Sequence, residues 1–190
     1  QQRVAPIGVG NDFSKGLINY CRVYAKTLCM PLWTGATIIK KTIFEEENGF
    51  KPTLKLGEDF DLWIRIAMKY PVAFLNKQLA YYNQDVDVAT RGVGVRYYLP
   101  EEHMLFTDYG ELMNDKDFRF LYEKLALYGL LRYYLADKNK IETQKILCDI
   151  DWKKHEKKYS WYYRYLPKRV VKAWFDFKKW GVTLKTKYQT

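Results

Sequence analysis

The residues best suited to chemistry lie in one short run, Gly57-Glu58-Asp59-Phe60-Asp61-Leu62-Trp63-Ile64-Arg65. Its three carboxylates, Glu58, Asp59 and Asp61, fall within four positions at the start of an otherwise apolar segment. A helix N-terminus stabilises negative charge there, whereas burial and mutual repulsion raise at least one carboxyl pKa. A carboxylate tuned in this way can serve as a general base. Asp61 and Arg65 stand one helical turn apart and are expected to pair. A structural reading fits the same residues: Asp59 caps the helix and Asp61 is a first-turn acid that complements the dipole. Taken in isolation, the run favours that structural reading.

Other chemistries find little support. Cys21, Cys29 and Cys148 show no C-x-x-C spacing, and His103 and His155 are the only histidines, which argues against structural zinc. Reduced, buried thiols are expected instead. Gly8-Val9-Gly10 and Gly92-Val93-Gly94 lack the third glycine and the strand-to-helix setting of a dinucleotide fingerprint. Ser14 and Ser160 lack a nucleophile-elbow context. Of four Asp-x-Asp pairs, Asp115/Asp117 and Asp149/Asp151 sit where helix caps are expected, and Asp59/Asp61 belongs to the run above. Only Asp85/Asp87 looks like a metal pair by its position after a strand.

The elements that must position the acidic run can be placed by pattern. A helix is expected over about Leu17–Leu28, a short strand over Thr34–Lys40, and a helical turn over Lys41–Gly49 closed by Asn48-Gly49. The acidic run opens a helix over Phe60–Tyr70, which Pro71 stops and whose apolar residues wrap most of its circumference. Val72–Leu75 and Leu79–Tyr82 read as strands, and Asp85–Gly94 as a loop. Helices follow over about Lys116–Leu135 and Lys140–Asp149. The expected class is α/β, a front half with short strands followed by an α-helical C-terminal region. Three parts are expected: residues 1–99, a helical extension over 100–150, and a tail over 151–190.

The order of the motifs adds a resemblance. Trp33-Thr34-Gly35-Ala36-Thr37-Ile38-Ile39, then Asn48-Gly49-Phe50, then Gly57-Glu58-Asp59-x-Asp61-Leu62-Trp63-x-Arg65, then Leu79-Ala80-Tyr81-Tyr82 resembles the second half of family-2 glycosyltransferases of bacterial type. The resemblance covers about residues 25–92, with Glu-Asp-x-Asp-Leu-Trp its most specific part. It implies an incomplete GT-A half, the nucleotide-diphospho-sugar transferase fold, and an inverting transfer to an acceptor hydroxyl. Asp59 matches the catalytic base; Glu58, Asp61 and Trp63 would shape the acceptor side, and Arg65 would orient the carboxylates. Asn83, Gln84, Asp85 and Arg91 match a loop near the donor diphosphate, where a cation would meet the leaving group. The resemblance further implies hexosyl transfer in polysaccharide or glycan synthesis, with a nucleotide sugar as donor and a glycan or lipid-linked acceptor. Mn or Mg is expected in a full-length enzyme, held by an Asp-x-Asp upstream of the Glu-Asp motif. Asp85/Asp87 lies downstream of it, so no metal ligand is assigned in this chain. Some 30 residues precede Trp33, too few for the donor-binding half, so the chain is expected to be a piece of a longer enzyme and inactive alone.

Charge supplies the last expectation. The chain of 190 residues has a net charge of +10, and residues 151–190 carry 12 Lys+Arg against 3 Asp+Glu, a net of +9. Trp152, Trp161, Trp174 and Trp180 interleave with these cations. From about Pro167, Val170, Trp174 and Phe177 share a helical stripe with Val171 and Phe175 beside it. Three readings stand: a helix in a membrane interface, a helix packed on the protein, and a single-stranded nucleic-acid surface, which the nearly neutral remainder disfavours. No apolar run reaches the roughly 18 to 20 residues of a bilayer span, and the N-terminus lacks signal-peptide features. A cytoplasmic protein, peripheral at the inner membrane face, is therefore expected. The alternative function is a non-catalytic helical module that docks a membrane or acidic partner through the tail.

Overall fold

The computed structural model describes residues 4–81 and 96–187, with side chains to residue 178. The chain is mixed α/β and mostly helical, with one small antiparallel sheet among the described residues. It divides into two compact units, residues 1–125 and 126–190.

In the first unit, strand β1 (Lys15–Ile18) pairs antiparallel with β2 (Val72–Leu75), in a register that places Lys15 opposite Leu75 and Ile18 opposite Val72. The helix expected from Leu17 begins later. Asn19 accepts a hydrogen bond from the Arg22 backbone N–H at 2.9 Å and caps helix α1 (Tyr20–Thr27), which leaves the preceding residues extended and able to pair. Helix α2 (Lys41–Glu46) ends as expected at Asn48-Gly49, where both residues take φ of +56°. Glycine and asparagine tolerate that left-handed geometry best.

Helix α3 (Glu58–Ala67) follows Gly57. It buries Phe60, Leu62, Trp63, Ile64 and Ile66, so it is enclosed on several sides, as its pattern predicts. Burial of each such side chain stabilises the fold by roughly 1.5–3 kcal/mol. Tyr24 of α1 meets Phe60 edge-on at 6.1 Å, and Phe60 meets Tyr109 at 6.2 Å. Helix α4 (Lys116–Gly129) starts where the Asp115 side chain accepts from the N–H groups of Asp117 and Phe118, both at 2.9 Å.

One expected strand does not form, and a second shows no pairing among the described residues. Thr34–Ala36 is a single 3-10 turn. The Thr37 hydroxyl donates to the Trp33 carbonyl at 2.7 Å, and Gly35 lies under the Trp33 ring. These local bonds compete with pairing, and Ile38 is left fully exposed. Leu79–Tyr81 forms no ladder, and Tyr82 lies outside the described residues.

In the second unit, the expected long helix is interrupted at Leu130, after which α5 runs over Leu131–Leu135. Helix α6 (Lys140–Cys148) and helix α7 (Lys157–Ser160) follow; α7 leads into a π-turn over Trp161–Tyr165, and α8 spans Lys168–Lys187. Its core gathers Leu127, Leu130, Tyr133, Ile150, Tyr159, Tyr163 and Val171. The Tyr163 hydroxyl donates to the Leu127 carbonyl at 2.8 Å, and the Tyr134 hydroxyl donates to the Tyr163 carbonyl at 3.1 Å. Among the described helices none is long and apolar enough to cross a membrane.

Candidate functional site

The acidic run sits where a backbone irregularity demands glycine. Gly57 adopts φ of +80°, and a Cβ there would fall 2.2 Å from the Met104 Cγ. The segment before it is fastened down: Lys55 and Leu56 donate backbone bonds to the Glu102 carbonyl at 2.8 and 3.0 Å, and Met104 donates to Leu56 at 3.0 Å. The first turn of α3 is thereby held at a fixed place, with Gly57 rather than Asp59 at the cap position.

The three carboxylates then separate by environment. Asp61 is fully buried. One of its oxygens accepts from the Lys51 ammonium at 2.6 Å and the other from the Arg65 Nε at 3.0 Å. The expected pairing of Asp61 with Arg65 is present, and Lys51 completes it. Arg65 reaches further: its guanidinium donates to the Gly49 carbonyl at 2.8 Å and to the Glu47 carbonyl, and Lys69 binds the buried Glu47 carboxylate at 2.8 Å. Asp61 and Arg65 are thus committed to fastening α3 against the turn that ends α2.

Asp59 differs. It is half-buried, and its Oδ1 accepts the Phe60 backbone N–H at 2.7 Å. Burial pushes its carboxyl above the usual carboxylate range; the Phe60 bond pulls the other way, and the Glu58 charge adds to the rise. Glu58 is half-buried beside it. Across from α3, burial pushes the Tyr20 phenol well up, with Tyr24, Cys21, Asp59 and Tyr109 contributing in turn. Tyr24 is raised by burial and then by the Asp59 charge. Two tyrosines one turn apart on α1 therefore lie within electrostatic range of Asp59. Sequence reasoning missed them; a Tyr-x-x-x-Tyr spacing is the one signal they leave, and it is common in ordinary cores. Lys51, the other residue missed, leaves no helical offset to Asp61 that could have disclosed it.

Trp63 is buried rather than open to a ligand. It meets Phe50 edge-on at 6.1 Å, and Phe50 meets Phe44 at 5.7 Å. Asn83, Gln84, Asp85 and Arg91, with Asp87, lie outside the described residues. Asp115/Asp117 and Asp149/Asp151 fall at helix ends: Asp115 and Asp151 accept backbone N–H bonds, and Asp117 binds Arg22 at 2.7 Å. Among the described residues no three His, Cys, Asp or Glu side chains gather to hold a metal ion. Of the thiols, Cys21 is buried and pushed up to about 12 by burial and by Asp115 and Asp117, whereas Cys148 is exposed rather than buried.

Chemically, this arrangement offers one carboxylate with solvent access and a raised proton affinity, on a turn fastened through backbone bonds to Glu102 and Met104. No protein-family description, curated protein or solved structure matches the chain.

Proposed function

We propose that the chain is the acceptor-side part of an inverting glycosyltransferase of GT-A type, with Asp59 as the general base. The observation that carries the reading is the division of labour on α3: Asp61 is spent on Lys51 and Arg65, while Asp59 keeps solvent access and an elevated proton affinity. A base must hold a proton well enough to remove it from a hydroxyl as bonding begins. In the proposed step an acceptor hydroxyl oxygen attacks the anomeric carbon of a nucleotide sugar from the face opposite the diphosphate. The new C–O bond forms as the bond to the diphosphate oxygen breaks, and the hydroxyl proton passes to Asp59. Glu58 would flank the acceptor. The roles of Asp61, Trp63 and Arg65 become positional, because all three are packed or paired behind the first turn. A divalent ion held by a donor-binding half would neutralise the leaving diphosphate. Synthesis of polysaccharide or lipid-linked glycan at the inner face of the cytoplasmic membrane is the setting this reading implies.

The test is sugar transfer by the polypeptide of the whole reading frame against a panel of nucleotide sugars and acceptors. Asp59→Asn should cut transfer by about a hundredfold or more, the usual range for loss of a general base, with donor binding kept. Near-normal turnover by the variant sinks the base role. If no nucleotide sugar binds or reacts, the non-catalytic helical module becomes the better account.

A further inference from the structure

Helix α8 carries two apolar faces, and the structure assigns them different work. On one face Val171 is 1% exposed and Phe175 meets Tyr162 edge-on at 5.4 Å. At the start of the helix, Lys168 binds Asp137 at 2.5 Å and lies over the Tyr134 ring at 4.3 Å. These contacts anchor α8 within its own unit. The other face holds Val170, Trp174 and Phe177, spaced i, i+4 and i+7, and they are 51, 48 and 62% exposed. Arg169 and Lys178 are exposed on either side of that stripe, and the Lys178 ammonium stands 4.9 Å from the Trp174 ring centre. Asp176 is the single acid of the helix.

A contiguous, largely exposed apolar stripe marks a contact surface more often than an accident. Its length and chemistry narrow the occupant. Twenty residues of helix extend about 30 Å, with rings and an aliphatic side chain along one line and cations on either side. A stack of nucleic-acid bases would use the rings but gain nothing from Val170. An anionic lipid surface uses all of it: apolar groups enter the boundary between headgroups and acyl chains, and cations meet lipid phosphates. The net charge of +9 over residues 151–190 supplies the complementary field.

We propose that the outer face of α8 binds an anionic lipid bilayer in the interfacial plane, with Val170, Trp174 and Phe177 inserted and Arg169 and Lys178 at the phosphates. Val171 and Phe175 stay packed, so the helix docks without leaving its unit. This surface stands whether or not the chain proves to be a glycosyltransferase.

The experiment is co-sedimentation of the 190-residue chain with vesicles of phosphatidylcholine alone and of phosphatidylcholine mixed equally with phosphatidylglycerol. Binding should favour the mixed vesicles at least tenfold and should weaken between 0.1 and 1 M salt, as the screening length falls from about 10 to about 3 Å. Trp174→Ser with Phe177→Ser should weaken binding about tenfold or more, the scale of losing one large buried apolar group, with thermal unfolding unchanged. Arg169→Glu and Lys178→Glu should each cost about fivefold or more. Equal binding to neutral vesicles, or wild-type binding by the Trp174/Phe177 double variant, overturns the proposal. Tighter binding to polyglutamate or to single-stranded DNA than to mixed vesicles also overturns it, in favour of an acidic protein or a nucleic acid.

Discussion

In α3 the carboxylate of Asp61 is enclosed, and Lys51 and Arg65 reach in to it at 2.6 and 3.0 Å; in α8 the cations Arg169, Lys172 and Lys178 stay in water, the first and last beside exposed apolar side chains. Both helices are amphipathic, yet they use charge in opposite senses. In α3, charge is a fastener: once a carboxylate is buried it must be paired, and the pairing ties together segments that are distant in sequence. In α8, charge is a surface property, held outward where it costs little and where an external partner can meet it. The charge of a segment therefore says nothing of its use until the exposure of each group is known. Asp59 lies between these extremes, half-buried and with its carboxyl raised, which is why the proposed base role falls to it.

The contrast breaks most visibly if one fastener is cut. Asp61→Ala strands Lys51 and Arg65 and should destabilise the protein by about 3 kcal/mol or more, seen as a fall in Tm of about 6–12 °C. Lys172→Ala should change stability by less than about 0.5 kcal/mol. Similar losses from the two variants would show that the contrast is not energetic. Next in size, Gly57→Ala should cost about 2 kcal/mol, because a Cβ at φ of +80° is strained and Met104 must move. Urea unfolding measures it, and an unchanged midpoint would show that the acidic turn is not clamped.

The smallest effect has a distinctive pH signature. Burial raises the Asp59 carboxyl, so the folded protein holds that proton more tightly than the unfolded chain does. At low pH, with the carboxyl protonated in both states, it has no effect. As pH rises past the ordinary Asp value, the unfolded state ionises first and stability falls until the folded value is passed. Asp59→Asn removes that penalty: the variant should match the parent in strong acid and be modestly more stable at neutral pH. Thermal melts at both pH values check this, and a variant less stable at neutral pH would place Asp59 among the fasteners.

Much of the frame was legible because its signals are local. The Asn48-Gly49 stop, the Gly57 entry to α3, the Pro71 exit and the Asp115 cap each act within a turn of where they stand. Strand pairing was less so. Lys15 faces Leu75 across the sheet, and no short pattern announces a partner that far along the chain. Thr34–Lys40 carried strand composition, but composition cannot supply a neighbour, and the local bonds of Trp33, Gly35 and Thr37 prevailed. In the site, the pairing of Asp61 with Arg65 was readable from its helical offset, while Lys51 and the tyrosines of α1 arrive through tertiary packing. For α8 the sequence showed one apolar stripe, Val170, Trp174 and Phe177, with Val171 and Phe175 beside it; only the structure shows that the stripe is outside and its neighbours are packed.

The grip of Arg65 on the carbonyls of Glu47 and Gly49 has a consequence for dissecting the molecule. The turn that closes α2 follows local rules, yet its oxygens are held by a side chain 18 and 16 positions later in the sequence. A peptide cut to residues 41–50 would keep every turn-forming residue and lose the hand that closes it. A graft of the acidic turn into another scaffold must therefore carry α2, α3 and the Glu102–Met104 segment that fastens the residues before Gly57.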